Sequence, residues 1–219
     1  MIPLRDIIPS RTTPYVTVTV IVMNAVAWLY EVTLPEQTLH TFLLTYGVVP
    51  GALEASTLVS SMFLHGSWAH VIGNMWYLWI FGDNVEDRMG HGRFIAFYLL
   101  CGIGAAIGHV MAEPGSMIPT VGASGAIAGV MGAYFVLYPH SKVLTLIPLI
   151  IVWDVVELPA ILLLGFWFLL QLLSAGASTL ASDAGGGGIA FVAHVAGFAL
   201  GAIGVYVFKK RQPPVEWLY

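Results

Sequence analysis

The sequence predicts an all-α, polytopic membrane protein, a bundle of six transmembrane helices. Two bulk observations predict the class, and the placement of charge predicts the count. Hydrophobic residues make up 58% of the 219 and charged residues only 9%, with a mean hydropathy of +0.85. A soluble domain carries about 25% charged residues, so this chain lacks the polar surface that water requires. At about 20 residues per crossing, the length holds several spans and little more.

The spans follow from apolar runs and their breakers. Span 1 is expected over about 14–34, stopped by Pro35, and span 2 over about 66–82, ending before DNVEDR. Span 3 begins near Arg93 and fades at Glu113-Pro114, while span 4 runs from Ser124 to about Pro139. Span 5 covers about 158–175. Span 6 covers about 190–208, closed by Lys209, Lys210 and Arg211. Residues 143–157 (VLTLIPLIIVWDVVE) are apolar, but Pro148, Asp154 and Glu157 predict an interfacial or re-entrant segment instead of a crossing.

With six spans, all basic residues fall on one side: Arg5, Arg11, Arg88, Arg93, Lys142, Lys209, Lys210 and Arg211. The positive-inside rule makes that side the cytoplasm. The opposite loops hold Glu31, Glu36, Glu54, Glu113 and Asp183, without Lys or Arg. A seventh span would carry the basic C-terminal segment outside. Residues 1–13 are thus expected to be a cytoplasmic N-terminal segment, 14–208 the membrane domain and 209–219 a cytoplasmic tail.

Several classes drop out. The N-terminal stretch lacks the unbroken apolar core of a removable signal peptide. Cys101, the single cysteine, cannot form an intrachain disulfide and reads as a small buried hydrophobe. The net charge of −4 comes with no basic patch suited to nucleic acid. Two connections stand out: a long first outer loop at 35–62, whose HTFLLTYGVV suits the membrane surface, and a glycine-rich loop at 176–189.

Spans 2, 4 and 6 all run from the outer to the inner face. Their unusual polar residues are His65, His70 and Asn74, then Ser124, then His194. All lie in or beside the first turns, within roughly 5–10 Å of the outer ends. His70 and Asn74 are four apart and share a helical face. Gly125/Gly129 and Gly197/Gly201 are GxxxG pairs, which let two backbones approach.

Each feature has an ordinary explanation. A serine among glycines (Gly122, Ser124, Gly125) serves packing, and a membrane histidine serves structure or transport. Together they place a serine, a base and amide or imidazole donors at one depth. Close packing of spans 4 and 6 would let His194 take the Ser124 proton. The head of span 4, with Asn74 and His70, would face a developing oxyanion. GASG is not the GxSxG elbow of α/β hydrolases, which needs alternating strands and helices. Zinc held by His65, His70 and His194 has no HExxH and no neighbouring carboxylate behind it. No metal or other cofactor is expected.

The ordered set HxxxN (His70, Asn74), GxSG (Gly122, Ser124, Gly125) and AHxxG (His194, Gly197, then Gly201), with His65 and FGDNVEDRMG, resembles the rhomboid intramembrane serine proteases. The resemblance implies a Ser124–His194 dyad without a third acidic member, and an oxyanion held by His70, Asn74 and the Ser124 N–H. It also implies transmembrane-protein substrates cut near the outer end after a small residue, through an acyl-enzyme. Glu86 and Arg88 match the family's structural loop pair, and Gly197 its close-contact glycine. The Trp–Arg pair frequent in the family's first outer loop is missing. The minimal six-helix form is typical of prokaryotic members and implies a plasma membrane. A non-catalytic relative that binds transmembrane clients would have lost the serine or histidine; a small transporter would show inverted repeats.

Overall fold

A computed structural model describes residues 1–149, 152–180 and 191–210. It is mostly helical. Strand β1 (Ile2–Asp6) precedes helices α1 (Tyr15–Glu31), α2 (Glu36–Tyr46), α3 (Thr57–Ser60), α4 (Trp68–Met89), α5 (His91–Ala112) and α6 (Ser124–Leu137). Strands β2 (Lys142–Leu149) and β3 (Val152–Pro159) then lead to α7 (Ala160–Leu180) and α8 (Phe191–Phe208). Among the described residues, three helices are long and apolar enough to cross a membrane: His91–Ala112, Ala160–Ala177 and Phe191–Phe208. The apolar stretches of α1 and α6 are shorter, and the last two turns of α4 are charged.

Helix α6 is the axis of the bundle. Its residues Ala126 to Tyr134 are all buried, and it packs against α8 most extensively, then against α5 and α4. Small residues permit this. A Cβ on Gly197 would sit 2.1 Å from the Gly125 carbonyl oxygen, and one on Gly201 would sit 1.9 Å from that of Gly129. Both are far inside contact distance, so the two backbones touch only because both positions are glycine. Gly125 also faces α5, where an added Cβ would come 2.6 Å from the Ala105 Cβ.

The expectation of an all-α chain needs correction. Strands β1, β2 and β3 form an antiparallel sheet in that order, with Asp6 opposite Val143 and Lys142 opposite Pro159. The described residues of 143–157, a segment expected to be interfacial or re-entrant, lie in the paired strands β2 and β3. The segment's β-branched residues favour strands, and Val143 and Thr145 alternate onto the buried face. The paired strands satisfy the backbone groups that a re-entrant segment would have to match elsewhere.

Helix α4 also runs past its expected stop near residue 82. Two of the charged residues that predicted a break, Asp83 and Asp87, find partners in the N-terminal segment. Asp83 accepts a hydrogen bond from the Ser10 hydroxyl, and Asp87 accepts from Arg11 N and Thr12 N at 2.5 and 3.0 Å. The helix ends where Gly90 takes φ +79°, a left-handed conformation that glycine adopts without strain. In the expected surface loop, α2 buries none of its residues. The described part of the glycine-rich loop continues α7 to Leu180; Gly185–Gly188 lie outside the described residues.

Candidate active site

The N-terminal ends of α4, α6 and α8 meet at one end of the bundle. Ser124 opens α6. The chain reaches it through Gly122 at φ +129°, tethered by its N–H to Ser61 O at 2.9 Å. A side chain on Gly122 would be strained, and its Cβ would lie 2.7 Å from His70 Nε2. Glycine therefore lets the segment before Ser124 pass directly under His70.

His194, in the first turns of α8, lies across from Ser124. Its Nε2 is 2.8 Å from Ser124 Oγ, within reach for proton transfer. Its Nδ1 is 2.7 Å from Gln171 Oε1 on α7. The Trp167 ring lies 6.0 Å from the imidazole. Both imidazole nitrogens thus have partners. No carboxylate among the described residues contacts His194.

On α4, Ser67 caps the helix by accepting from His70 N at 3.1 Å. The Asn74 amide is 2.9 Å from His65 Nε2, and its Nδ2 is 3.7 Å from the place where a Gly122 Cβ would stand. His65 is 1% exposed. Burial first, and the nearby His70 second, push its pKa down to about 4, so it is neutral and able to accept from Asn74. The amide then keeps a second N–H free to point toward the start of α6. Behind it, Glu31 is buried with both carboxylate oxygens 3.3 Å from His65 N.

Four of the residues singled out by sequence thus share this site: Ser124, His194, His70 and Asn74. Gly122 shapes it, and Gly125, Gly197 and Gly201 hold α5, α6 and α8 together beside it. Gln171, Trp167 and His109 were not singled out. A lone glutamine in the apolar run of α7 was the available signal, since an intramembrane polar side chain must find a partner. His109 Nε2 pairs with Thr120 Oγ1 at 2.8 Å, steadying the strand that leads to Gly122.

Glu86 and Arg88 lie at the other end of the bundle. Glu86 is fully buried and accepts from Val16 N at 2.9 Å, Thr17 N at 2.8 Å and Thr17 Oγ1 at 2.7 Å. It thereby caps α1, whose own N-cap, Pro14, has no side-chain cap bond. His91 Nδ1 lies 2.6 Å from Glu86 Oε1, the oxygen that also accepts from Val16 N. The Arg88 carbonyl accepts from Lys210 N at 2.8 Å.

The Rhomboid domain family matches residues 52–211. The chain belongs to the rhomboid family. Rhomboid-like protein 11, chloroplastic, of Arabidopsis thaliana is 30% identical over 158 residues, covering 69% of this chain and 52% of that protein. Putative rhomboid protease YdcA of Bacillus subtilis (strain 168) is 33% identical over 130 residues, 57% of this chain and 62% of that protein. Rhomboid protein 1, mitochondrial, of Saccharomyces cerevisiae is 32% identical over 92 residues, 40% of this chain and 27% of that protein. The match to these relatives thus spans between about a quarter and three-fifths of their length. Rhomboid membership and the apolar helices make this a multi-pass membrane protein. The family match spans α4 to α8, the helices that carry the candidate site.

Proposed function

We propose that the protein is an intramembrane serine endopeptidase with Ser124 as nucleophile and His194 as general base. The single observation that carries the reading is the 2.8 Å approach of His194 Nε2 to Ser124 Oγ at the head of a helix. Family membership supports the protease class independently.

In this reading Ser124 Oγ attacks a peptide carbonyl while its proton passes to His194 Nε2. The tetrahedral oxyanion is met by the Ser124 N–H, the free N–H of Asn74 and the His70 imidazole, reinforced by the α6 dipole. As the C–N bond breaks, His194 returns the proton to the leaving amine and an acyl-enzyme remains. Water, activated by the same imidazole, then releases the acyl group. The chemistry needs no metal or other cofactor.

Helices α1, α4, α5, α6, α7 and α8 are proposed as six crossings, with both termini in the cytoplasm of a plasma membrane. The one-sided distribution of Lys and Arg supports this orientation, and with it a site at the outer face. The substrates are transmembrane helices of other membrane proteins, cut near that face after a small residue. Water reaches the dyad from the outer side, because polar groups at such a site are tolerated only around a wet or protein-lined cavity.

The test is cleavage of single-span reporters, with Ala, Gly or Ser near the outer end, by the protein in proteoliposomes. Ser124→Ala and His194→Ala are each expected to lower kcat by roughly 10⁴- to 10⁶-fold while leaving the melting temperature close to wild type. Undiminished cleavage by either variant would refute the dyad.

A further inference from the structure

Helix α7 is apolar from Ala160 to Leu173 except at Gln171, and that side chain reaches the candidate base. A primary amide in such a helix is costly when unpaired, so its bond partner is not incidental. Gln171 Oε1 lies 2.7 Å from His194 Nδ1, on the side of the ring away from Ser124. Trp167, one turn earlier on the same face of α7, lies against the same imidazole with ring centres 6.0 Å apart. Phe168 stacks on Phe198 of α8 at 4.5 Å. Aromatic packing therefore fixes this face of α7 against α8, and the amide is presented to His194 from a rigid support.

The chemical consequence concerns the tautomer. A neutral imidazole carries its proton on one nitrogen only. An amide oxygen at Nδ1 accepts, so Nδ1 bears the proton and Nε2 is left with the lone pair that faces Ser124. The opposite tautomer would present an N–H to the serine hydroxyl and could not take its proton. Once the proton moves, Nδ1–H becomes part of an imidazolium and its bond to Gln171 becomes charge-assisted, which favours the reacting state. A neutral acceptor serves here without placing a carboxylate among apolar helices, where its desolvation would be costly.

We infer that Gln171 is a positioning residue that holds His194 in the Nδ1–H tautomer and so takes the place of an acidic third member; this rests on the protease reading above. Both chemistries require the whole membrane protein, so the test uses the full chain in proteoliposomes or detergent. Gln171→Met keeps the length and removes the acceptor; Gln171→Glu keeps an acceptor oxygen. Gln171→Met is expected to lower kcat about 10- to 150-fold, the rate equivalent of one hydrogen bond to a charged group. KM should stay within about twofold, because the lost contact acts on the reacting state. Gln171→Glu should recover most of the rate. In ¹⁵N-histidine-labelled protein, His194 should show the Nδ1–H pattern in wild type and lose it in Gln171→Met.

Wild-type rates in Gln171→Met, equal impairment of the two variants, or an Nε2–H pattern in the wild type would each overturn the inference. If Gln171→Met does not fold, the wild-type tautomer decides alone. If the wild type neither cleaves reporters nor reacts at Ser124, the protease reading fails. The tautomer measurement still decides whether Gln171 orients His194.

Discussion

The two ends of the bundle both bury polar side chains, yet they use them differently. At the end away from Ser124, the buried carboxylates of Glu86 and Asp6 are each met by several donors, while Arg88 Nε is buried without a partner among the described residues. Glu86 uses both oxygens on the α1 N-terminus and His91. Asp6 Oδ2 accepts from Tyr134 OH at 2.7 Å and Asn84 Nδ2 at 2.9 Å. These contacts tie β1, α1, α4 and α6 into one body. At the Ser124 end polar side chains instead form a directed chain, Gln171 to His194 to Ser124, beside the donors of Asn74 and His70 that converge on Gly122. Carboxylates met by several donors hold a fold together; a cluster with donors left over and a hydroxyl beside a neutral base has capacity to react.

Substitutions at the two ends should therefore separate activity from stability. The largest contrast is at Asn74. Asn74→Ala should lower the kcat of the folded protein about 10²- to 10³-fold, the cost of one oxyanion donor, together with a smaller loss of melting temperature because the buried His65 Nε2 loses its donor. If reporter cleavage is unaffected, Asn74 belongs with the structural end. Glu86→Ala should behave in the opposite way. It leaves buried N–H donors at the start of α1 unpaired, so unfolding stability should fall by at least about 2 kcal/mol, measured by denaturant titration in micelles. The fraction that remains folded should keep its wild-type kcat; a matching loss of kcat would show that the two ends are coupled.

The smallest effect concerns Asp6 and pH. Burial, helped by the nearby Asp83 and opposed by the Tyr134 hydrogen bond, raises its pKa from 3.8 to about 6. The folded chain holds that proton more tightly than the unfolded one. Its contribution is therefore fully present below about pH 3.8 and lost as pH rises through about 6. Relative to Asp6→Asn, the wild type should lose melting temperature between pH 4.5 and 7.5. Parallel curves for the two proteins would show that Asp6 does not titrate as its burial implies.

The difference between the ends also explains what could be read from sequence. The site end is built from short local motifs whose polar members interrupt apolar runs, so His70, Asn74, Ser124 and His194 stand out against their neighbours. Charge asymmetry then supplied their expected common depth. The opposite end depends on pairings distant in sequence. Nothing local to Ile2–Asp6 announces that it will pair with Val143–Leu146, and VLTLIPL reads as apolar whether it becomes strand or membrane segment. The charges of α4 predicted a helix stop because their partners lie about 70 residues earlier. Gln171 was visible as a polar residue in a greasy helix, but its orientation toward Nδ1 depends on the packing of α7 on α8.

The central claim is that Ser124 is a nucleophile activated by His194, and covalent trapping tests it most directly. A fluorophosphonate reacts with an activated serine oxygen, displacing fluoride and leaving a phosphonyl ester. Peptide mass mapping of the treated protein in proteoliposomes should find that adduct on Ser124 Oγ. It should be absent from His194→Ala and from Ser124→Ala. No adduct on the wild type, or an adduct on Ser124 that persists undiminished in His194→Ala, would contradict the account.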